Sequence, residues 1–174
     1  PKPILRSINE NQGMEFTWST WIWIDNVDST DASPKRIFSK GSSMTGVKNN
    51  LKDSFNTDNN KVEHFYMNSP GLYIYDPATE SCNTNVLSVV LSFFDEDNTL
   101  QVNQSPYEVI PIYNVPLQKW VNIVIRVQSK TVDIYLNGVL TKRKNYKRVV
   151  KQNYGNIFVG SQKSGMNGYI SSLR

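Results

Sequence analysis

Alternation of apolar and polar residues is the feature that most constrains what this chain can fold into. In the segment WVNIVIRVQ, Trp120–Gln128, valine or isoleucine occupies every second position from Val121 to Val127. Side chains on a β-strand point alternately to the two faces of the sheet, so this pattern predicts a half-buried strand. The next segment, TVDIYL, also alternates and ends at Asn137-Gly138, a pair that favours a type I′ hairpin turn. Together the segments predict neighbouring antiparallel strands.

Short strands separated by turn residues continue along most of the chain. Strand patterns occur in EFTWSTWIWID, KRIFSKG, GLYIYD, NVLSVVLSFF, NIFVGS and GYISSLR. The segment 42–61 is rich in Ser, Asn and Asp and has no periodicity, so we expect a long surface loop or insertion there. No amphipathic helix of three turns is apparent. The sequence therefore predicts an all-β fold, an antiparallel sandwich or barrel.

The length of 174 residues allows one sizeable hydrophobic core, and we expect a single domain over 1–174. Because the chain starts at Pro1 and stops at Arg174 within a strand-like pattern, we expect it to be excised from a larger protein. No apolar run approaches the about 18 residues that a membrane-spanning helix needs. With one cysteine, Cys82, and one histidine, His64, the chain cannot form an internal disulfide or a zinc site of the usual Cys/His composition.

Three of the four tryptophans fall within six positions of the first strand. Trp18 shares its predicted face with Phe16, Ile22 and Ile24, so we expect it in the core. Trp21 and Trp23 lie on the opposite face. The interpretation that we favour is a second packing layer beneath a long loop. The alternative is an exposed platform that stacks on sugars, with hydrogen bonds from polar residues of other strands: Asn122, Arg126 and Tyr135.

A basic segment carries most of the positive excess of the chain, whose net charge is +4. Its cations are Lys142, Arg143, Lys144, Lys147, Arg148 and Lys151. One hypothesis is a patch that binds sulfated or phosphorylated glycans through salt-sensitive contacts. The favoured alternative is a solvated strand and loop whose lysines protect a sheet edge. Only Tyr146 interleaves with these cations as an aromatic residue, which disfavours nucleic acid as a partner.

The motifs of the second half of the chain occur in a characteristic order. A Pro-Leu-x-x-Trp strand leads to a strand ending in Tyr-x-Asn-Gly, and two glycines accompany the last strands. The residues are Pro116, Leu117, Trp120, Tyr135, Asn137, Gly138, Gly160 and Gly168. With MEFTWSTWIWI, RIFSKG and GLYIY upstream, this order resembles the laminin G-like jelly-roll domains of the concanavalin A-like lectin/glucanase superfamily. The Asn/Lys-rich loops are similar to uncharacterised domains of this type in proteins of large DNA viruses.

The resemblance implies a fold and a range of functions. It implies a jelly-roll sandwich of two curved antiparallel sheets, with ligands bound on a concave face or by rim loops. It also implies an extracellular, surface or virion-associated location. The glycosidases of this superfamily use Glu-x-Asp-x-Glu on one strand, a pattern that this sequence lacks. We therefore expect no enzyme, and a glycoside hydrolase is the less favoured alternative.

Calcium is the one cofactor that the resemblance brings in, because related domains often hold Ca²⁺ between rim loops. Ca²⁺ prefers oxygen ligands, which Asp95, Asp97 and Asn98 could supply from a predicted turn. Asp25, Asp28 and Asp31 form a second candidate cluster. Neither cluster matches a defined loop template, so we predict no metal site, with calcium as the alternative.

The sequence as a whole predicts a non-catalytic recognition module that binds carbohydrate. The alternative is a structural or protein-interaction domain of a virion or cell-surface protein. The expected partner is accordingly a glycan or a protein surface, and the oligomeric state stays open.

Overall fold

The computed structural model describes residues 14–27, 34–41, 68–93, 107–152, 155–161 and 165–174. These parts of the chain form ten β-strands and contain no helix. The strands are β1 (Glu15–Ile24), β2 (Lys35–Gly41), β3 (Asn68–Ile74), β4 (Leu87–Ser92), β5 (Tyr107–Ile112), β6 (Trp120–Gln128), β7 (Thr131–Leu136), β8 (Val139–Asn145), β9 (Asn156–Val159) and β10 (Gly168–Ser171). The predicted loop 42–61 lies outside the described residues.

The strands form two antiparallel sheets of five strands each, as expected for a concanavalin A-like sandwich. Sheet A has the order β10-β1-β6-β7-β8, and sheet B has the order β5-β4-β3-β2-β9. In sheet A the long strand β1 pairs with β6 over nine positions, from Glu15 opposite Gln128 to Trp23 opposite Trp120. The all-β antiparallel prediction is thus confirmed.

The core lies between the two sheets and takes alternate apolar residues of β1, β3, β4, β5, β6 and β7. In β1 these are Trp18, Ile22 and Ile24, and in β6 they are the predicted valines and isoleucines. The Trp18 indole stacks on the Phe38 ring of the opposite sheet, with ring centroids 5.8 Å apart. Trp18 is only 8% exposed, which confirms its predicted place in the core.

The hairpin signal at the end of β7 is confirmed by the backbone. Asn137 has a φ of 49° and Gly138 a φ of 80°, as a type I′ turn requires. Asn137 also extends the β6–β7 pairing, since its N–H donates to the Asn122 carbonyl at 2.8 Å and its Oδ1 accepts from the Asn122 N–H at 2.9 Å. The turn therefore sets the register of three strands of sheet A.

The outer face of sheet B is also buried and holds a second apolar cluster. Tyr73, Tyr75 and Val90 form it together with Tyr107 and Cys82. Leu72 and Ile74 alternate with the two tyrosines along the strand and lie in the core between the sheets.

Strand β5 was not predicted. Its segment YEVIPI contains Pro111, which removes a backbone donor and argues against a central strand. The structure places β5 at the edge of sheet B, where a proline is tolerated.

Candidate functional site: the outer face of sheet A

The outer face of sheet A presents rows of side chains that cross the strands in register. The first row runs from Tyr169 on β10 through Trp23 on β1 to Trp120 on β6. The second row runs through Ser171, Trp21 and Asn122. We call Trp21, Trp23, Trp120 and Tyr169 the aromatic platform.

Three members of the aromatic platform are exposed. Tyr169 is 67% exposed, Trp120 45% and Trp21 43%. Trp23 is half-buried in the middle of the first row, and its ring meets Trp120 edge to face, with centroids 6.1 Å apart and an interplanar angle of 61°. Because the four rings sit on hydrogen-bonded strands, their backbones are held in a fixed arrangement before any ligand arrives.

The favoured interpretation of Trp21 and Trp23 as a packing layer is wrong for Trp21. The structure leaves 43% of Trp21 open, whereas the outer face of sheet B is the one that is buried. Alternation in sequence assigned the indoles to the outer face correctly. It could not reveal which of the two sheets is covered, because that depends on segments remote in the chain.

Asn122 and Tyr135 lie near the aromatic platform on the same outer face. Asn122 is opposite Trp21, and its Nδ2 donates to the Thr20 carbonyl at 3.2 Å. Tyr135 is opposite Val124, one outward position further along β6. These two predicted site residues therefore lie beside the predicted tryptophans.

Arg126 lies at the other end of the face, in a charged row with Asp133 and Arg143. It is four residues along β6 from Asn122, a separation of about 13 Å. Arg143 binds Asp133 in a bidentate manner, with Nε–Oδ1 and Nη2–Oδ2 distances of 2.6 and 2.9 Å. Arg126 lies 3.6 Å from the same carboxylate and donates to Gln128 at 2.6 Å. The structure thus separates Arg126 from the tryptophans with which it was grouped.

The charged row shifts the pKa of its carboxyl group. Asp133 is buried, yet the hydrogen bonds from Arg143 lower its pKa, and the charges of Arg143 and Arg126 act in the same direction. Burial opposes this shift because it disfavours the charged form. The row is therefore a structural ion cluster that keeps Asp133 ionised.

The structure distributes the cations of the basic segment over different surroundings. Lys142 and Lys144 pair with Ile134 and Val132, so they lie on the inner side of edge strand β8. Arg143 belongs to the charged row.

The cations beyond β8 lie on the side of sheet B. Arg148 donates to Glu108 of β5 at 2.9 Å and lies over the Phe93 ring, 5.3 Å from its centroid. Lys151 joins sheet B through its N–H, which donates to the Ser92 carbonyl, and Lys147 is exposed. Lysines on an edge strand agree with the favoured edge-protection interpretation, and anion binding by this segment stays a prediction.

Sequence reasoning missed two members of the aromatic platform, Trp120 and Tyr169. Trp120 shares the outward parity of Asn122 in the same strand, which was a usable signal. The sequence contained no such signal for Tyr169, because the pairing of β10 with β1 joins residues almost 150 positions apart and follows only from the tertiary fold.

The calcium candidates Asp95, Asp97, Asn98, Asp28 and Asp31 lie outside the described residues, as does His64. Asp25 is described and exposed. Within the described ranges, no group of three or more His, Cys, Asp or Glu side chains is placed to hold a metal ion. In the same ranges, no helix is long and apolar enough to cross a membrane.

The two antiparallel sheets form a β-sandwich that exposes aromatic side chains on the outer face of sheet A. A family comparison matches residues 73–174 to the Laminin_G_3 family of the concanavalin A-like lectin/glucanases superfamily. This match covers more than half of the chain, and the chain belongs to that family. At the level of the superfamily, it is a lectin-like or protein-interaction module. No curated protein matches the chain, so the similarity to viral domains stays a prediction.

Proposed function

We propose that this domain is a non-catalytic module that binds glycans through the aromatic platform. The observation that supports the proposal is the in-register row of Tyr169, Trp23 and Trp120, with Trp21 beside it. Large aromatic side chains are normally buried, and a contiguous exposed group of them marks a binding surface. Indole and phenol rings offer flat apolar faces to the C–H faces of sugars while neighbouring polar groups meet the hydroxyls.

The alternative is a protein partner that docks on the same face. Leu140, which is 42% exposed, pairs with Tyr135 on the outer face, and Val139 beside it is 67% exposed. These residues extend the apolar surface toward the Asn137-Gly138 turn. A protein interface would use this whole area, whereas a sugar chain would need only the platform.

Isothermal titration calorimetry with a panel of oligosaccharides tests the proposal. Trp120→Ala and Tyr169→Ala should each weaken glycan binding roughly tenfold or more, since each removes an exposed ring at an end of the first row. The matched control is Tyr113→Ala, because Tyr113 is 48% exposed but follows β5 of sheet B. Glycan binding that all three variants retain would refute the platform, and equal losses in all three would point to a general effect on folding.

Two further measurements test for a role of calcium and for catalytic activity. Titration with and without a chelator shows whether calcium contributes to binding. Chromatography of the oligosaccharides after prolonged incubation shows whether any is cleaved, and cleavage would overturn the non-catalytic assignment.

A further inference from the structure

We propose that the ligand of the aromatic platform is an uncharged glycan chain that lies across the strands, from β10 to β6, and donates a hydroxyl hydrogen bond to Asn122. This inference rests on the proposed function. The inference goes beyond the proposed function because it names the chemical class of the glycan, the direction of the glycan on the sheet and a residue that forms a hydrogen bond with it.

The charge distribution of the outer face supports an uncharged ligand. The first two rows, which hold the whole platform together with Ser171 and Asn122, contain no ionisable group except the Tyr169 phenol. The chain neighbours of the platform, Asp25 and Lys119, carry opposite charges. A carboxylate or sulfate stacked on the platform would lose hydration without gaining an ionic partner within either row, which costs free energy.

Two cations of the same face, Arg126 and Arg143, are distant from the platform and already engaged. Arg126 is six residues along β6 from Trp120, a separation of about 20 Å. Arg126 and Arg143 share the carboxylate of Asp133, at 3.6 and 2.6 Å. The third row brings one cation closer, because Arg174 pairs with Ser19 at the end of β10. Arg174 therefore belongs in the test.

The arrangement of the rings sets the direction of the chain. Tyr169, Trp23 and Trp120 stand on three adjacent strands whose spacing is about 4.8 Å, so the row crosses the strands over about 10 Å. Along the strands the aromatic residues end after two rows, and Ser19 and Thr17 follow on β1. An extended glycan chain gains most contact when it lies along the row.

Asn122 is the polar residue best placed to form a hydrogen bond with the ligand. Its Nδ2 is committed to the Thr20 carbonyl, which can only accept, so the orientation of the amide is fixed. Its backbone N–H is held by Asn137 Oδ1. Among the described residues, Asn122 Oδ1 has no hydrogen-bond donor, and it lies in the row beside Trp21. A sugar hydroxyl can supply that donor.

The test is calorimetric titration of the whole chain with two sets of hexasaccharides, at low and at high salt. The uncharged set is cellohexaose, laminarihexaose and xylohexaose, and the acidic set is hexagalacturonate and a heparin hexasaccharide. We expect an uncharged member to bind with an affinity that changes less than about twofold with salt, because no ion pair forms. We also expect the affinity to fall at least tenfold for the corresponding disaccharide, because its two sugar rings cannot stack on three aromatic rings at once.

Variants of the chain locate the contact. Asn122→Ala should weaken binding of the uncharged hexasaccharide about tenfold, and Tyr169→Ala should weaken it more for the hexasaccharide than for the disaccharide. Arg126→Gln and Arg174→Gln should change it less than about twofold. Urea denaturation of each variant controls for folding.

The outcomes separate this inference from the proposed function. Binding of an acidic hexasaccharide that is lost at high salt, or with either arginine variant, would overturn the uncharged class and leave glycan binding intact. Equal affinity for disaccharide and hexasaccharide would overturn the direction along the row. Absence of binding to every oligosaccharide of both sets would overturn the proposed function itself.

Discussion

Replacing Gly168 by alanine should separate the start of β10 from β1 and so disturb the aromatic platform. A Cβ at position 168 would lie 1.9 Å from the Trp23 carbonyl oxygen, whereas ordinary contact begins at 3.4 Å. That oxygen belongs to the backbone of a central strand and cannot rotate away. The edge strand β10 must therefore move outward by about 1.5 Å.

The cost of this movement follows from the hydrogen bonds at the end of the strand pair. Asp25 N–H donates to the Asn167 carbonyl at 3.0 Å and Asn167 Nδ2 donates to Asn26 Oδ1 at 3.1 Å, next to the pair of Ile24 with Gly168. A displacement of 1.5 Å lengthens these contacts beyond hydrogen-bond range. Loss of two such bonds costs about 2 kcal/mol, and alanine at a φ of 154°, which glycine adopts far more readily, adds about 1 kcal/mol. We expect Gly168→Ala to lower the free energy of unfolding by about 3 kcal/mol.

Gly138→Ala is the matched control. Gly138 also has a positive φ, 80°, but an added Cβ would meet nothing within 4 Å. Only the conformational penalty then remains, about 1–2 kcal/mol. The control turn lies beside β8, at the opposite edge of sheet A from β10.

Urea denaturation followed by tryptophan fluorescence measures both variants. With a slope of about 2 kcal/mol per molar urea, Gly168→Ala should lower the midpoint by about 1.5 M and Gly138→Ala by less than about 1 M. Gly168→Ala should also weaken glycan binding, because Tyr169 moves with β10. Equal, small losses in both variants would refute the close approach of β10 to β1 and the position of Tyr169 in the row.

Three further predictions concern stability. Arg143 lowers the pKa of Asp133 in the folded state, so the ionised carboxylate stabilises the fold above its ordinary pKa of about 3.9, and this contribution is lost as the pH falls from there through the folded-state pKa. In urea melts at acidic pH, the free energy of unfolding of Asp133→Asn should therefore fall less steeply with decreasing pH than that of the unchanged protein. An equally steep fall would contradict the ion cluster. Burial raises the pKa of Tyr75 to about 12, so its neutral phenol stabilises the fold below about pH 10 and that stability is lost between about pH 10 and pH 12. Tyr75→Phe should remove one step at high pH from the ultraviolet titration of the tyrosines. Loss of a step at lower pH instead would place Tyr75 in solvent. Trp18→Ala should lower the free energy of unfolding by about 3–5 kcal/mol because Trp18 is buried against Phe38. Tyr113 is exposed, so Tyr113→Ala should lower it by less than about 1 kcal/mol. Similar losses for both variants in urea melts would mean that Trp18 is not in the core.

Much of the fold was predictable from local pattern. Alternation assigned the inner residues of β1 and β6, because a period of two is a property of the strand itself. The turn at Asn137-Gly138 was predictable from backbone preference alone. Proline obscured β5, since its tolerance at Pro111 depends on an edge position that only the assembled sheet defines.

The candidate site was predictable only in part, for the same reason. The parity of β1 placed Trp21 and Trp23 on an outer face, and that of β6 placed Asn122 and Arg126 on one as well. The register between β1 and β6 then decided that Asn122 joins the tryptophans while Arg126 joins Asp133. The local sequence around each residue does not specify this register.

By itself, the sequence determined that this chain forms antiparallel strands, which residues of β1 and β6 face the core and where one hairpin turns. These are consequences of side-chain alternation and of φ preferences within a few residues. Only the tertiary structure decided that Tyr169 and Trp120 flank Trp23, that Trp21 is exposed, and that Asp133 holds Arg143 and Arg126. Those facts depend on pairing between distant segments, because hydrogen bonds between strands fix which side chains become neighbours.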